Sequence, residues 1–158
     1  KKTVSLTPRG RAQAQALALV LRDEAFTHAY ASEFPRAQET AGFLLRHQAC
    51  KLSIDARLNE RKSGMDGQPV HGFNDQVKLD PLCFRTAHGE SFLEQMERVR
   101  SLLNELCALH PHGNILAVSH ENPILAALAL TSGDAAEAAL GSVENCGRLV
   151  LHWPPRHA

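Results

Sequence analysis

Asn114-Ile115-Leu116-Ala117-Val118-Ser119-His120, followed by Glu121-Asn122-Pro123, is the stretch on which the fold reading turns. Ile115 to Val118 is an unbroken apolar run bounded by polar residues, the pattern of a short strand buried on both faces. Asn122-Pro123 then reads as a helix start, with Asn as cap and Pro at the first helical position, where its missing N–H costs nothing. A buried strand that passes straight into a helix is the building unit of a parallel α/β sheet.

The same grammar recurs on both sides of that stretch. Thr7-Pro8 starts a helix to about Arg22, with Ala14, Leu17, Ala18 and Leu21 on one face. His28 to Ser32 reads as a brief buried strand, and Pro35 opens a second helix to about His47. Lys51 to Ile54 reads as another strand. Residues 57 to 88, with Gly64, Gly67, Pro69, His71, Gly72 and Pro81, read as a long irregular excursion of the kind that forms lids or pocket walls. Gly89-Glu90-Ser91 leads into the most regular helix, to Leu109, with Phe92, Met96, Val99, Leu103 and Leu106 as its buried stripe. Gly113 ends that helix, and Leu149 to Trp153 reads as a closing strand before Pro154 and Pro155. Helices alternating with short apolar strands predict an α/β three-layer sandwich with a largely parallel central sheet, in a single domain over residues 1–158.

Composition narrows the function classes. Lys plus Arg equals Asp plus Glu at 17 each, which speaks against nucleic acid or an anionic membrane as the main partner. There is no apolar run long enough to span a bilayer and no signal peptide, and the sequence opens at Lys1-Lys2-Thr3 without an initiator Met. Cys50, Cys83, Cys107 and Cys146 form no C-x-x-C pair, so they read as free thiols in a reducing, cytoplasmic setting. Nine histidines include no H-E-x-x-H pair, and no metal site or cofactor is expected.

Three residues invite a chemical reading. Arg36 falls in the first turn of a helix just after a strand, where a cation faces the positive end of the helix dipole at a cost of about 0.3–1 kcal/mol. The placement makes sense beside a bound anion, and helix N-termini attract phosphate; the plain alternative is a surface Arg paired with Glu33 or Glu39. His120 stands where a buried strand gives way to a helix, the position where open α/β sheets bind ligands. A histidine there holds a phosphoryl group or shuttles a proton; the plain alternative is a hydrogen-bonded turn histidine. Glu60, at the entry to the excursion, is a general acid for a leaving oxygen if partial burial raises its pKa; otherwise it pairs with Arg57 or Arg61.

Taken in order, the segments resemble the motifs of the histidine phosphatase superfamily, the phosphoglycerate-mutase-like proteins. Leu6-Thr7-Pro8-Arg9-Gly10-Arg11-Ala12-Gln13-Ala14 is similar to the family's first helix start. Ala31 to Ala41 is similar to its Ser-x-x-x-Arg-Ala-x-x-Thr-Ala motif, and Leu58-Asn59-Glu60-Arg61 to the segment of its proton donor. Gly89-Glu90-Ser91 resembles the turn before the long helix, Val118-Ser119-His120 the motif of the second active-site histidine, and Asn145-Cys146 the start of the last strand. The resemblance implies catalytic roles for Arg36, Glu60 and His120. It implies phosphate contacts from Arg36, His120, Ser32, Arg61 and the backbone N–H of Glu121.

Two departures accompany it. The family's Arg-His-Gly, whose His is the nucleophile, is absent from residues 1–158, and the sequence opens after the place of the first strand. Arg156-His157, behind two prolines at the C-terminus, has no strand before it and is read as chance. Glu121 stands where many relatives have Gly after the second His. The implied reaction is hydrolysis of a small phosphomonoester through a phosphohistidine, without a metal. Phosphoglycerate-mutase-type transfer and a non-catalytic phospho-ligand binder are the alternatives, and the excursion is short beside that of the glycolytic mutases. Phe73, Phe84, Arg85 and His88 are candidate pocket walls. The expected partner is a small phosphorylated molecule, with no nucleic acid or membrane, and a homodimer is left open.

Overall fold

The computed structural model describes residues 4–64 and 71–155. Its elements run α1 (Pro8–Val20), β1 (His28–Ala31), α2 (Pro35–Leu44), β2 (Leu52–Ile54), a 3₁₀ turn (Ala56–Leu58), α3 (His71–Leu79), α4 (Phe92–Leu109), β3 (Ile115–Val118), α5 (Glu121–Ser132) and α6 (Ala135–Ala139). The three strands form one parallel sheet in the order β2-β1-β3. None of the described helices is long and apolar enough to cross a membrane.

Local chemistry sets the helix starts. The Thr7 hydroxyl accepts from the Gly10 N–H, and Pro8 and Pro35 each occupy the first turn of their helix. α4 opens on a capping box, in which Ser91 takes the Glu94 N–H while the Glu94 carboxylate takes the Ser91 N–H. α5 closes on Gly133 in the left-handed region.

Residues alternate across β1 and build a core on each face. Ala29 and Ala31 are buried, and α2 packs against β1 and β3, presenting Ala37 and Ala41 among its buried residues. Tyr30 and Ile115 join Leu58, Leu102 and Leu106 on the face covered by α4. A second cluster lies between α4 and α5, around Phe92, Met96, Val99, Leu125, Ala126 and Ala129. The layers are therefore helix, parallel sheet, helix, as the alternation of elements predicts.

Several boundaries differ from the sequence reading. The excursion holds the 3₁₀ turn and the helix α3; Gly67 and Pro69 lie outside the described residues, as does Arg156-His157. α5 starts two residues earlier than its Pro suggests: His120 is the cap, and Pro123 sits inside the first turn, where the N–H is unneeded. The short helix α6 carries no clear apolar period and is absent from the sequence reading. Leu149 to Trp153 joins no strand among the described residues. Val150 is 83 % exposed, and the Trp153 indole donates to Asn104 Oδ1 on α4 instead. The stripe of α4 also differs, since Leu102 and Gln95 lie deeper than Leu103. Gln95 is fully buried, and neither of its amide atoms has a hydrogen-bond partner among the described residues.

Candidate active site

The strand order makes a switch point. From β1 the chain crosses to β2 on one side, and its next strand, β3, lies on the other. In an open parallel sheet the crevice at such a point, beyond the carboxyl ends of the strands, is where ligands bind. Ser32 directly follows β1 there, and His120 lies two residues after the end of β3.

Ser32 and His120 meet across the crevice. Ser32 is wholly buried and its Oγ lies 2.7 Å from His120 Nε2. The same Oγ accepts from the Phe34 N–H at 3.2 Å, which fixes it at the start of α2. Arg36 Nη2 lies 3.5 Å from His120 Nδ1. A guanidinium has only hydrogens to offer, so Nδ1 accepts from it, and the proton of the neutral ring sits on Nε2 and is donated to Ser32. Phe34 completes the cluster: its ring packs on the imidazole at 4.6 Å, and the Arg36 guanidinium lies 4.7 Å from the centre of that ring.

Burial is the larger reason, and the positive charges of Arg36 and Arg98 the lesser, that the His120 pKa is lowered from its usual 6.5 to about 4. The imidazole is thus neutral at physiological pH. Two helices, α2 and α5, point their N-termini at this cluster, and Glu121 is the first residue of α5 with its side chain exposed. Positive helix ends, a guanidinium and a neutral imidazole make a local environment suited to an anion.

Glu60 sits on the chain between the 3₁₀ turn and Arg61, half-buried, with Oε1 accepting from the Arg61 N–H at 2.7 Å. That chain is tied to both strand ends. Ser119 Oγ donates to the Leu58 carbonyl at 2.6 Å. Asn59 Oδ1 accepts from the Glu33 N–H at 2.9 Å, and Asn59 Nδ2 donates to Glu33 Oε1 at 2.7 Å. The alternative partners of the sequence reading are otherwise engaged. Glu39 faces Arg11, and Arg57 pairs with Asp55 and Glu105.

The structure brings Ser32, Arg36 and His120 into direct contact and ties the Glu60 loop beside them. Arg61 is turned elsewhere: it is buried, with Nε donating to the Glu90 carbonyl at 3.1 Å, Nη2 to the Phe84 carbonyl at 3.0 Å, and its guanidinium over Phe73. Phe73 and Phe84 pack edge to face, Arg85 pairs with Glu94, and His88 is exposed. Sequence reasoning missed Phe34, Asn59, Ser119 and Arg98. Arg98 had a signal, since it is a cation beside the apolar stripe of α4, but only the fold shows what it meets. A further Arg-His pair, Arg46-His47, also escaped that reading; it follows α2 and precedes Gln48 rather than Gly.

The profile of the histidine phosphatase superfamily (branch 1) matches residues 1–158. The adenosylcobalamin/alpha-ribazole phosphatase of Escherichia coli (strain K12) is 32 % identical over 142 residues, covering 84 % of this chain and 70 % of that protein. The probable phosphoglycerate mutase GpmB of Erwinia tasmaniensis is 29 % identical over 132 residues, covering 73 % of this chain. The match spans only 58 % of the length of that relative. Among solved structures, a mycobacterial glucosyl-3-phosphoglycerate phosphatase in complex with VO3 superposes with a TM-score of 0.78 at 27 % identity, covering 89 % of this chain and 75 % of that one.

Proposed function

The chain belongs to the histidine phosphatase superfamily, and from that premise we propose that its residues form one phosphatase domain that hydrolyses a small phosphomonoester through a phosphohistidine. The observation that carries the reading is the meeting of Ser32, Arg36 and His120 at the switch point, between the N-termini of α2 and α5. That cluster supplies a guanidinium, a neutral imidazole and helix-end N–H groups within reach of a phosphoryl group bound between them. Preorganised donors of this kind are the largest single source of rate in such transfers.

The steps follow from these parts. A neutral imidazole nitrogen, the family's Arg-His-Gly histidine, attacks phosphorus, and the bond from phosphorus to the ester oxygen breaks. Glu60 in its acid form gives its proton to that oxygen, so the leaving group departs as an alcohol. Glu60, now a carboxylate, takes a proton from water, whose oxygen attacks the phosphohistidine; inorganic phosphate leaves and the imidazole is restored. Arg36 and His120 hold the equatorial oxygens throughout, together with the Glu121 backbone N–H. Ser32 has a hydroxyl that donates as readily as it accepts, so His120 can present Nδ1–H to the phosphoryl group once Arg36 turns to the anion. The four cysteines are all unpaired, which suits the reducing environment of the cytoplasm.

Residues 1–158 contain no Arg-His-Gly, so the test uses the full-length gene product. It is expected to release inorganic phosphate from p-nitrophenyl phosphate and from one or more members of a phosphometabolite panel. Interconversion of phosphoglycerates without p-nitrophenyl phosphate turnover would establish the mutase reading instead. Phosphate binding with neither reaction would make the protein a phospho-ligand binder.

A further inference from the structure

We propose that Arg98, held by Glu90, is a positioning residue that fixes the aim of Glu60. The inference rests on the reading of Glu60 as the proton donor and goes beyond it by naming what orients that donor.

The Glu60 loop is irregular chain, yet its backbone is held on both sides of Glu60. Ahead of it, Arg98 Nη1 donates to the carbonyls of Arg57 at 2.7 Å and of Asn59 at 2.9 Å. Behind it, Glu90 Oε1 accepts from the Lys62 N–H at 3.1 Å, the Glu90 N–H donates to the Lys62 carbonyl at 2.8 Å, and the Glu90 carbonyl accepts from Arg61 Nε. The two grips are joined to each other, since Arg98 Nη2 meets Glu90 Oε1 at 2.5 Å and Arg98 Nε meets Glu90 Oε2 at 3.3 Å. Gly89 allows the approach: a Cβ there would lie 2.7 Å from the Ser63 carbonyl oxygen and 2.8 Å from that of Lys62.

Stability alone is a poor account of this arrangement. The side chains of Arg98 and Glu90 are only 17 % and 11 % exposed, and a buried ion pair often does no better for stability than packed apolar residues would. What the pair supplies is geometry. A planar guanidinium with its donors in a rigid fork serves two carbonyls and a carboxylate at once, which an ammonium cannot do in the same way. The Glu60 carboxylate lies against the N–H of the next residue. Its direction therefore follows the backbone that Arg98 and Glu90 hold.

A general acid matters in proportion to how badly the leaving group needs a proton, and is worth roughly 10²–10⁴-fold when the need is full. The test compares β-glycerol phosphate, whose alkoxide must be protonated, with p-nitrophenyl phosphate, whose phenolate leaves readily. In the full-length protein, Arg98→Met is expected to cut kcat/KM, which reports formation of the phosphohistidine and not its later hydrolysis common to both substrates, by about 10²-fold on the glycerol ester, and far less on p-nitrophenyl phosphate. Arg98→Lys should not restore the glycerol ester. Glu60→Gln should show the same selective loss, and adding Arg98→Met to it should bring little further selectivity, since the two act as one unit. Should Arg98→Met fail to fold, as judged by circular dichroism, Glu90→Gln carries the same expectation, because it loosens Arg98 without emptying any volume. Equal losses of kcat/KM on both substrates, or none, would overturn the inference and leave Arg98 a structural residue. A wild-type protein that hydrolyses neither substrate would overturn the phosphatase reading, and with it the role assigned to Arg98; that result is read from the wild type alone.

Discussion

Both ends of the three-stranded sheet carry imidazole, one ring at the carboxyl ends and a stacked pair at the amino ends, in opposite surroundings. At the carboxyl ends, His120 is buried against Ser32, Phe34 and Arg36, beneath the N-termini of two helices. At the amino ends, His28 and His110 stack with ring centres 3.5 Å apart, and the Tyr30 hydroxyl lies 2.8 Å from His110 Nε2. His110 there follows the C-terminus of α4, and a shallow open cavity of about 380 Å³ is lined by Thr27, His28, Leu109 and residues 110–113. The amino end has this shallow hollow and the greater number of imidazoles. Its helix end is negative, however, and the described residues place no guanidinium in its lining, so it offers little to an anion. Polarity of the helix ends, rather than a count of histidines or the depth of a hollow, tells the two apart.

The strongest way to break this comparison is to delete one imidazole at each end. His120→Ala is expected to lower phosphatase turnover of the full-length protein by roughly 10²–10³-fold, the effect of removing one preorganised donor. His110→Ala should leave turnover within about a factor of two, as is usual away from the chemistry, where the cost falls on stability. Steady-state rates on p-nitrophenyl phosphate decide it, and comparable losses from both would erase the distinction.

Acid sharpens the comparison. Because the His120 pKa is about 4 in the fold and 6.5 in an unfolded chain, the unfolded state takes up its proton first as pH falls. Stability from this residue is therefore complete above pH 6.5 and declines towards pH 4, by at most about 3 kcal/mol. Asp55, whose carboxyl is held below its usual value chiefly by its hydrogen bond with Arg57, adds a further loss in the same direction at lower pH. Urea midpoints at pH 7, 5.5 and 4.5 should show the decline in the wild type, and a shallower one in His120→Asn.

The smallest effect concerns the helix between the two ends. Gln95 carries a fully buried amide with no partner among the described residues, a condition that costs about 1–3 kcal/mol. Replacing it by Leu should raise the urea midpoint, with turnover unchanged. A fall in turnover would instead draw Gln95 into the carboxyl-end site.

The parts of this fold legible in the sequence are those governed by neighbours in the chain. Thr7-Pro8, Pro35 and Ser91 mark helix starts because a cap and a first-turn proline act over three or four residues. His28 to Ala31 and Ile115 to Val118 are legible as strands because each is a short apolar run between polar residues, although only Ala29 and Ala31 are buried and Ala117 on the outer strand β3 is exposed, where the run predicts a strand covered on both faces. Leu149 to Trp153 has the same apolar look and forms no ladder among the described residues, since a strand exists only with a partner that its own residues do not specify. The site divides in the same way. Arg36 and His120 stand at element junctions that the sequence marks. The contact between Ser32 and His120 spans 88 residues, and the hold of Arg98 on Arg57 spans 41, so both belong to the packing of separate elements.

The capping box of Ser91 and Glu94 does more than close a helix end. Glu90 precedes it and Arg98 lies eight residues further on, a little over two turns, so the helix works as a ruler whose zero mark is that box. One residue inserted between Glu94 and Arg98 would leave the cap intact and carry the guanidinium about 100° round the axis, off its carboxylate and off the carbonyls it holds. If Glu60 is the proton donor, its aim then depends on the phase of α4, the helix that carries Arg98.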